Sequence, residues 1–345
     1  MKAFAVAPAP HIHAGRSVTR VMGHVLLALL PGVAAQLLFF GPGLLLQLAL
    51  CLAFAAAFEA AVLRLRGKPP LPHLADLSAA VTAVLLALCL PPLAPWWVAL
   101  AGMAAALLLG KHAYGGLGHN PFNPAMVGLA AVLLCFPREM AQWLSPLAPL
   151  SLSPSELFDA VLRGVPPPTL DTLSSATPLD TLRSLAHEGR TLAEIRRTPL
   201  FGNIGGKGWE WIAAAYALGG GYLLWRRVIR WQVPLGVIGA SLLVSLPFWL
   251  SDPDTHPSPL LHLVCGGLML AAFFVATDPV TGATTPRGRL LFGAGVGVLT
   301  LAIRRWGGFP DGVAFAVLLM NLAAPLLDRV GPPRPYGHRR AGAAP

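Results

Sequence analysis

Charge is scarce in this chain of 345 residues: 12% are Asp, Glu, Lys or Arg, against roughly 25% in soluble domains. That shortage argues against a water-soluble globular enzyme. Cysteine is scarce too. Cys51, Cys89, Cys135 and Cys265 each stand alone inside an apolar segment, and no C-x-x-C spacing occurs. No zinc or iron–sulfur site is therefore readable within the chain. Buried structural thiols are the plain reading, and a ligand shared with another subunit is the alternative. Acidic residues number 15 against 25 Lys and Arg, for a net charge of +10. The basic residues are scattered in short loops between apolar runs, so nucleic acid is not the expected partner. In a membrane protein that scatter sets orientation.

What is plentiful is apolar sequence: 55% of the residues are hydrophobic. A bilayer core about 30 Å thick needs roughly 20 apolar residues per helix. Ten segments meet or approach that: 20–40, 43–63, 76–91, 94–113, 123–137, 210–226, 233–250, 259–277, 289–304 and 311–328. The third and fifth are short, as tilted or broken spans are. The N-terminus is not read as a secretory signal, because the chain keeps returning to apolar runs long after residue 40. The fold class expected is an all-α polytopic integral membrane protein in a lipid bilayer. It divides into a first five-span half (1–137), a polar loop (138–209) and a second five-span half (210–345). Five spans per half give the halves opposite orientations, as in inverted repeats. Gly115-Gly116 leads through Pro121 and Pro124 into the fifth span, and Gly307-Gly308 leads through Pro310 into the tenth.

With both termini in the cytoplasm, the cytoplasmic segments carry 16 of the 25 Lys and Arg, among them Arg64, Arg66, Lys68, Lys111, Arg226 and Arg287. Outside the long loop only Arg304 and Arg305 fall on the other side. This asymmetry places the loop 138–209 on the periplasmic or otherwise non-cytoplasmic side. The loop holds seven basic and seven acidic residues, so its charge does not oppose export.

Two stretches carry candidate chemistry. Gly115-Gly116-Leu117-Gly118-His119-Asn120-Pro121-Phe122-Asn123-Pro124-Ala125-Met126 holds two Asn-Pro steps. Proline blocks helix continuation, so the entry to the fifth span is non-helical. Such backbone persists in a membrane only when buried in protein or lining a polar cavity. Asn120 and Asn123 are candidates for a flavin or polar site, and capping of the fifth span is the alternative. The second stretch is Asp171-Thr172-Leu173-Ser174-Ser175-Ala176-Thr177, a Ser/Thr-rich string in the one long polar loop.

These strings resemble the RnfD/NqrB family of membrane subunits of ion-motive electron-transport complexes. So do Thr277-Asp278-Pro279-Val280-Thr281-Gly282-Ala283-Thr284-Thr285-Pro286 and the run from Arg305 to Leu326. The resemblance covers His11 to His338 and leans toward RnfD, by Pro199-Leu200-Phe201-Gly202, by Gly205 to Trp211 and by the short N-terminus. It implies FMN joined through its phosphate to the threonine of a D-x-x-S-G/S-A-T pattern. Here that is Thr177, with Asp171, Ser174, Ser175 and Ala176 completing the pattern; Ser175 stands where glycine is commoner. It also implies a non-covalent riboflavin, a flavin transferase for maturation, and further Rnf/Rsx subunits. The whole complex would couple ferredoxin–NAD redox to Na⁺ or H⁺ translocation, or support reduction of a redox sensor. No complete active site is expected in this chain alone.

Thr281-Gly282-Ala283-Thr284 fits the attachment letters, with Asp278 three residues before it, but falls on the cytoplasmic side. Glu59 is the deepest acid, and an end-of-helix pair with Arg64 is expected for it. His24 and His262 are expected to be satisfied between helices. A flavin-free channel, a secondary transporter and a structural scaffold are the rival classes. Covalent flavin separates the first reading from all three.

Overall fold

The computed structural model describes residues 17–147, 152–169, 173–309 and 311–330. Its main helices are α1 (Val18–Phe40), α2 (Gly43–Leu65), α3 (Pro70–Leu74), α4 (Ser78–Ala87), α5 (Trp96–Ala104), α6 (Pro124–Cys135) and α7 (Pro178–His187). The chain continues through α8 (Trp209–Trp225), α9 (Gln232–Ser251), α10 (Pro259–Val264), α11 (Leu268–Leu270), α12 (Pro286–Trp306) and α13 (Val313–Leu327). Helix α5 runs on into a π-helical turn at Ala105–Lys111, and α11 into another at Ala271–Val275.

Local sequence explains the helix starts. Among the described residues five helices open on one device, a polar cap followed by proline at the first helical position: Asn123-Pro124, Ser153-Pro154, Thr177-Pro178, Ser258-Pro259 and Thr285-Pro286. Each cap side chain accepts the backbone N–H three residues on. Proline costs nothing there, because the first N–H of a helix has no partner within the helix.

Five helices are long and apolar enough to cross a bilayer: α1, α2, α5 with its continuation to Tyr114, α9 and α12. Shorter apolar helices are α4, α6 and α13. The protein is thus an all-helical polytopic membrane protein. Leucines such as Leu38, Leu109, Leu243 and Leu322 point outward, a cost in water but not in lipid. Exposed Trp211 and Trp306 lie toward one end of the bundle, and Trp225 and Trp231 toward the other, as interfacial anchors do.

Each of the ten segments contains helix, the third and fifth as short as expected, and the eighth differs from the expectation. The third span is confined to Ser78–Ala87 and the fifth to Pro124–Cys135. The eighth is interrupted at Cys265–Gly267, where Gly266 takes a φ of 72°. The break between α3 and α4 is built in a similar way, on Leu77 at a φ of 63°. Each break is closed by a carboxylate on the next helix N-terminus. Asp76 Oδ1 accepts the Ser78 N–H at 2.7 Å, and Asp311 Oδ2 accepts the Gly267 N–H at 2.6 Å. The backbone groups freed at these breaks find partners inside the protein, as a bilayer requires.

The pairing order of the first five spans recurs in the last five. Helix α2 packs on α4 and α5, and α9 on α10 and α12. Helix α5 and its π turn pack on α6, and α12 on α13. Contacts of α1 with α8, and of α6 with α13, join the two sets. Glycine permits the closest approaches: a Cβ on Gly236 would lie 2.6 Å from the Leu290 carbonyl oxygen, and one on Gly297 2.5 Å from that of Val237. Helices in lipid associate through such packing, since burial from water no longer drives them together.

Candidate functional site

Thr177 caps α7 at the end of the bundle that carries the 138–209 loop. Its Oγ1 accepts the Asp180 N–H at 3.2 Å and donates to Asp180 Oδ2 at 2.7 Å. Three constructions hold it in place. A two-stranded ladder pairs β1 (Trp143–Leu144) with β2 (Ser174–Ser175), with Trp143 opposite Ser175 and Leu144 opposite Ser174. Pro178 packs against Gly206, where any side chain would collide with the proline ring. The Gly206 N–H in turn meets Cys265 Sγ at 3.1 Å, which fastens the loop to the broken eighth span. Beneath α7, Leu179 and Leu182 join Leu192, Ile195, Phe201, Leu261 and Cys265 in a small apolar cluster.

Thr177 and Asp180 line a cavity of about 310 Å³ that runs down between the helices. Trp143, Trp209, Tyr216 and Phe309 supply aromatic wall; Gln36, Met126 and Val275 lie along it among apolar residues. Gln36 Nε2 donates to the Leu88 carbonyl at 3.1 Å and to Tyr216 Oη at 3.0 Å. Phe40 fixes the tryptophans by edge contacts, its ring centroid 5.5 Å from Trp143 and 5.3 Å from Trp209. The volume sits at the lower bound of ligand pockets, about 300–1,000 Å³. A mostly apolar, aromatic cavity with a hydroxyl at its rim fits a planar heterocycle tethered through phosphate. The N-terminus of α7, with its partial positive charge, fits the phosphate.

Ser174 and Ser175 are half-buried in the ladder, and Ala176 is exposed. Asp171 lies outside the described residues. The structure therefore brings Thr177, Ser174, Ser175 and Ala176 together beside the cavity. Sequence reasoning missed Asp180, Trp143 and Trp209, which lie outside the attachment pattern; Asp180, three residues on, was the one available local signal, whereas the tryptophans lie more than 30 residues from Thr177 in sequence.

The Asn-Pro residues sit elsewhere. Asn123 caps α6 through Oδ1, its Nδ2 donates to the Val275 carbonyl at 3.3 Å, and its N–H reaches Asn321 Oδ1 at 2.9 Å. Asn321 Nδ2 goes on to the Thr281 carbonyl at 3.2 Å. Both roles weighed for Asn123 are thus partly present: it caps, and it lies in an intramembrane polar network whose visible partners are protein. Asn120 donates to the Phe122 carbonyl, while its buried Oδ1 has no partner among the described residues.

Four expectations change. Glu59 does not pair with Arg64. It is 2% exposed and binds Lys111 Nζ at 2.8 Å and His112 Nε2 at 2.9 Å, with Lys111 also on Ser78 Oγ at 2.9 Å. Lys111 is accordingly a buried counter-ion and not a loop charge; the basic asymmetry survives its removal. His24 meets Tyr222 Oη at 2.8 Å as expected, but the buried His262 Nδ1 lacks a partner among the described residues. Arg304, read as a loop charge, is buried. It donates to the His262 and Cys265 carbonyls at 2.7 and 3.1 Å and pairs with Asp311 at 3.2 Å, serving the broken helix.

The NQR2, RnfD, RnfE family model matches residues 5–337. The chain belongs to this family. It is 45% identical over 348 residues to the D subunit of the ion-translocating oxidoreductase complex of Vibrio cholerae, covering 97% of this chain and 100% of that one. It is 50% identical over 334 residues to the corresponding protein of Pseudomonas aeruginosa, covering 96% and 95%. The Vibrio vulnificus protein of the same name is 44% identical over 353 residues, covering 97% and 99%. The family match spans Thr177, the cavity and both asparagine sites.

Proposed function

We propose that this chain is the membrane electron-transfer subunit of an ion-translocating oxidoreductase complex and carries FMN esterified through its phosphate to Thr177. The carrying observation is the position of the Thr177 hydroxyl at the rim of an aromatic cavity, in a loop tied down on three sides. The flavin supplies the redox chemistry when bound; the protein orients it and sets its surroundings. Trp143, Trp209 and Tyr216 would line the ring, and the α7 N-terminus would face the phosphate. A tether through phosphate leaves the electron-carrying ring unmodified.

The complex reading follows the relatives from Vibrio and Pseudomonas. Its partners are the other Rnf/Rsx subunits and a flavin transferase, with ferredoxin–NAD redox coupled to Na⁺ or H⁺ movement. A non-covalent riboflavin belongs to the same reading. The chain sits in the bacterial inner membrane with its termini in the cytoplasm and Thr177 outside. The described basic residues at the end away from Thr177, from Arg20 and Arg64 to Arg226 and Arg287, support that orientation. The test is in-gel fluorescence of the denatured protein under ultraviolet light. Wild type should fluoresce and Thr177→Ala should not. A dark wild-type band would favour a flavin-free channel, transporter or scaffold.

A further inference from the structure

We infer that Asp180 is the general base for the attachment of flavin to Thr177. This rests on the covalent reading above. The Thr177 Oγ1–H points at Asp180 Oδ2 across 2.7 Å, a short hydrogen bond to a carboxylate that already lies along the proton-transfer path. A threonine hydroxyl is a weak nucleophile and needs such a partner.

The contact is more than capping. The cap bond is the separate one, from the Asp180 N–H to Oγ1. The loop contains two true capping boxes for comparison. At Ser153 and Thr191 the third-residue glutamate accepts the cap residue's backbone N–H, at 2.8 Å from Glu156 and 3.2 Å from Glu194. Asp180 does not form that bond; among the described residues its carboxylate is aimed at the hydroxyl. Glu156 also takes the Ser153 hydroxyl, but neither residue lines the cavity beside Thr177. Only at Thr177 do hydroxyl, carboxylate and ligand cavity coincide among these three caps.

The step balances with a flavin dinucleotide as donor, held by the transferase. The Thr177 Oγ1–P bond forms, the P–O bond of the donor's anhydride breaks, and the nucleoside monophosphate leaves with the anhydride electron pair. The Oγ1 proton passes to Asp180 and from there to water at the half-buried rim. The ester oxygen of the product has no proton to donate, so the Thr177–Asp180 hydroxyl bond is lost on attachment.

The test follows the fluorescent band over time with full-length protein, transferase and flavin dinucleotide. In Asp180→Asn the amide oxygen still accepts the hydroxyl and the backbone cap remains, so positioning is kept and basicity is removed. We expect attachment to slow by about 100-fold, in the range of general-base contributions. Slowing of less than tenfold overturns the proposal. Asp180→Glu guards against a folding defect: attachment faster than in Asp180→Asn supports a base, and attachment no faster supports positioning alone and overturns it. A wild-type band that stays dark, or a Thr177→Ala band that lights up, would instead refute the attachment site itself.

Discussion

Ser174–Thr177 and Thr281–Thr284 have nearly the same letters and opposite settings. At the loop end, the Thr177 hydroxyl faces a cavity and a carboxylate. At the other end, Thr281 Oγ1 donates to Asp278, and Thr284 donates to Asp328 through both its N–H and its hydroxyl. The Asp328 bonds tie the start of α12 to the end of α13, and the Asp278 bond closes the loop on itself. Between the two settings lies α12, 21 residues or about 30 Å at 1.5 Å per residue. The same contrast holds more widely. The end with Thr177 keeps an open volume, whereas at the opposite end Glu59, Lys111, His112, Ser78, Asn123 and Asn321 are cross-tied between helices. A hydroxyl already spent on a helix-to-helix bond is a poor place to attach a cofactor.

The sharpest way to break this comparison is to remove each threonine. Thr177→Ala should lose all covalent flavin and Thr284→Ala none, read as gel fluorescence at equal protein. Fluorescence lost only in Thr284→Ala would invert the assignment. Next is sidedness. After replacement of the native cysteines, Ser184→Cys should react with an impermeant thiol reagent only from the non-cytoplasmic side, and Thr284→Cys only from the cytoplasm. Labelling of both from one side would collapse the distinction between the two ends.

Stability changes are smaller and test whether the far end is structural. Lys111→Met leaves Glu59 buried without its lysine and should cost about 3–5 kcal/mol. The measurement is thermal unfolding in detergent, and a cost under about 1 kcal/mol would show that the ion pair does not hold α2 to α5. Asn123→Ser keeps the cap but loses the amide bond to the Val275 carbonyl. It should cost about 1 kcal/mol and leave flavin loading unchanged. Lost loading with normal unfolding would move Asn123 from the polar network to the cofactor.

The sequence by itself determined much here. Scarce charge and repeated apolar runs required membrane helices, because too few polar residues were present to cover a soluble surface. The lopsided basic residues gave the expected orientation, and Pro after Asn, Ser or Thr marked five helix starts among the described residues, since those chemistries act within three residues of chain. Adjacent letters also picked out Ser174 to Thr177. Tertiary structure decided what those letters face. Glu59 passed over Arg64, one turn along its own helix, for Lys111 and His112, which the π turn after α5 brings to it from more than 50 residues away. The break at Gly266 could not be read from hydropathy, because Arg304 and Asp311, which satisfy it, arrive from another helix and the loop after it. Likewise the cavity beside Thr177 takes Gln36, Trp143, Trp209 and Phe309 from four distant parts of the chain. Local rules fix where helices begin; partners across a low-dielectric interior are chosen by packing, where each buried polar group must find whatever the fold brings within reach.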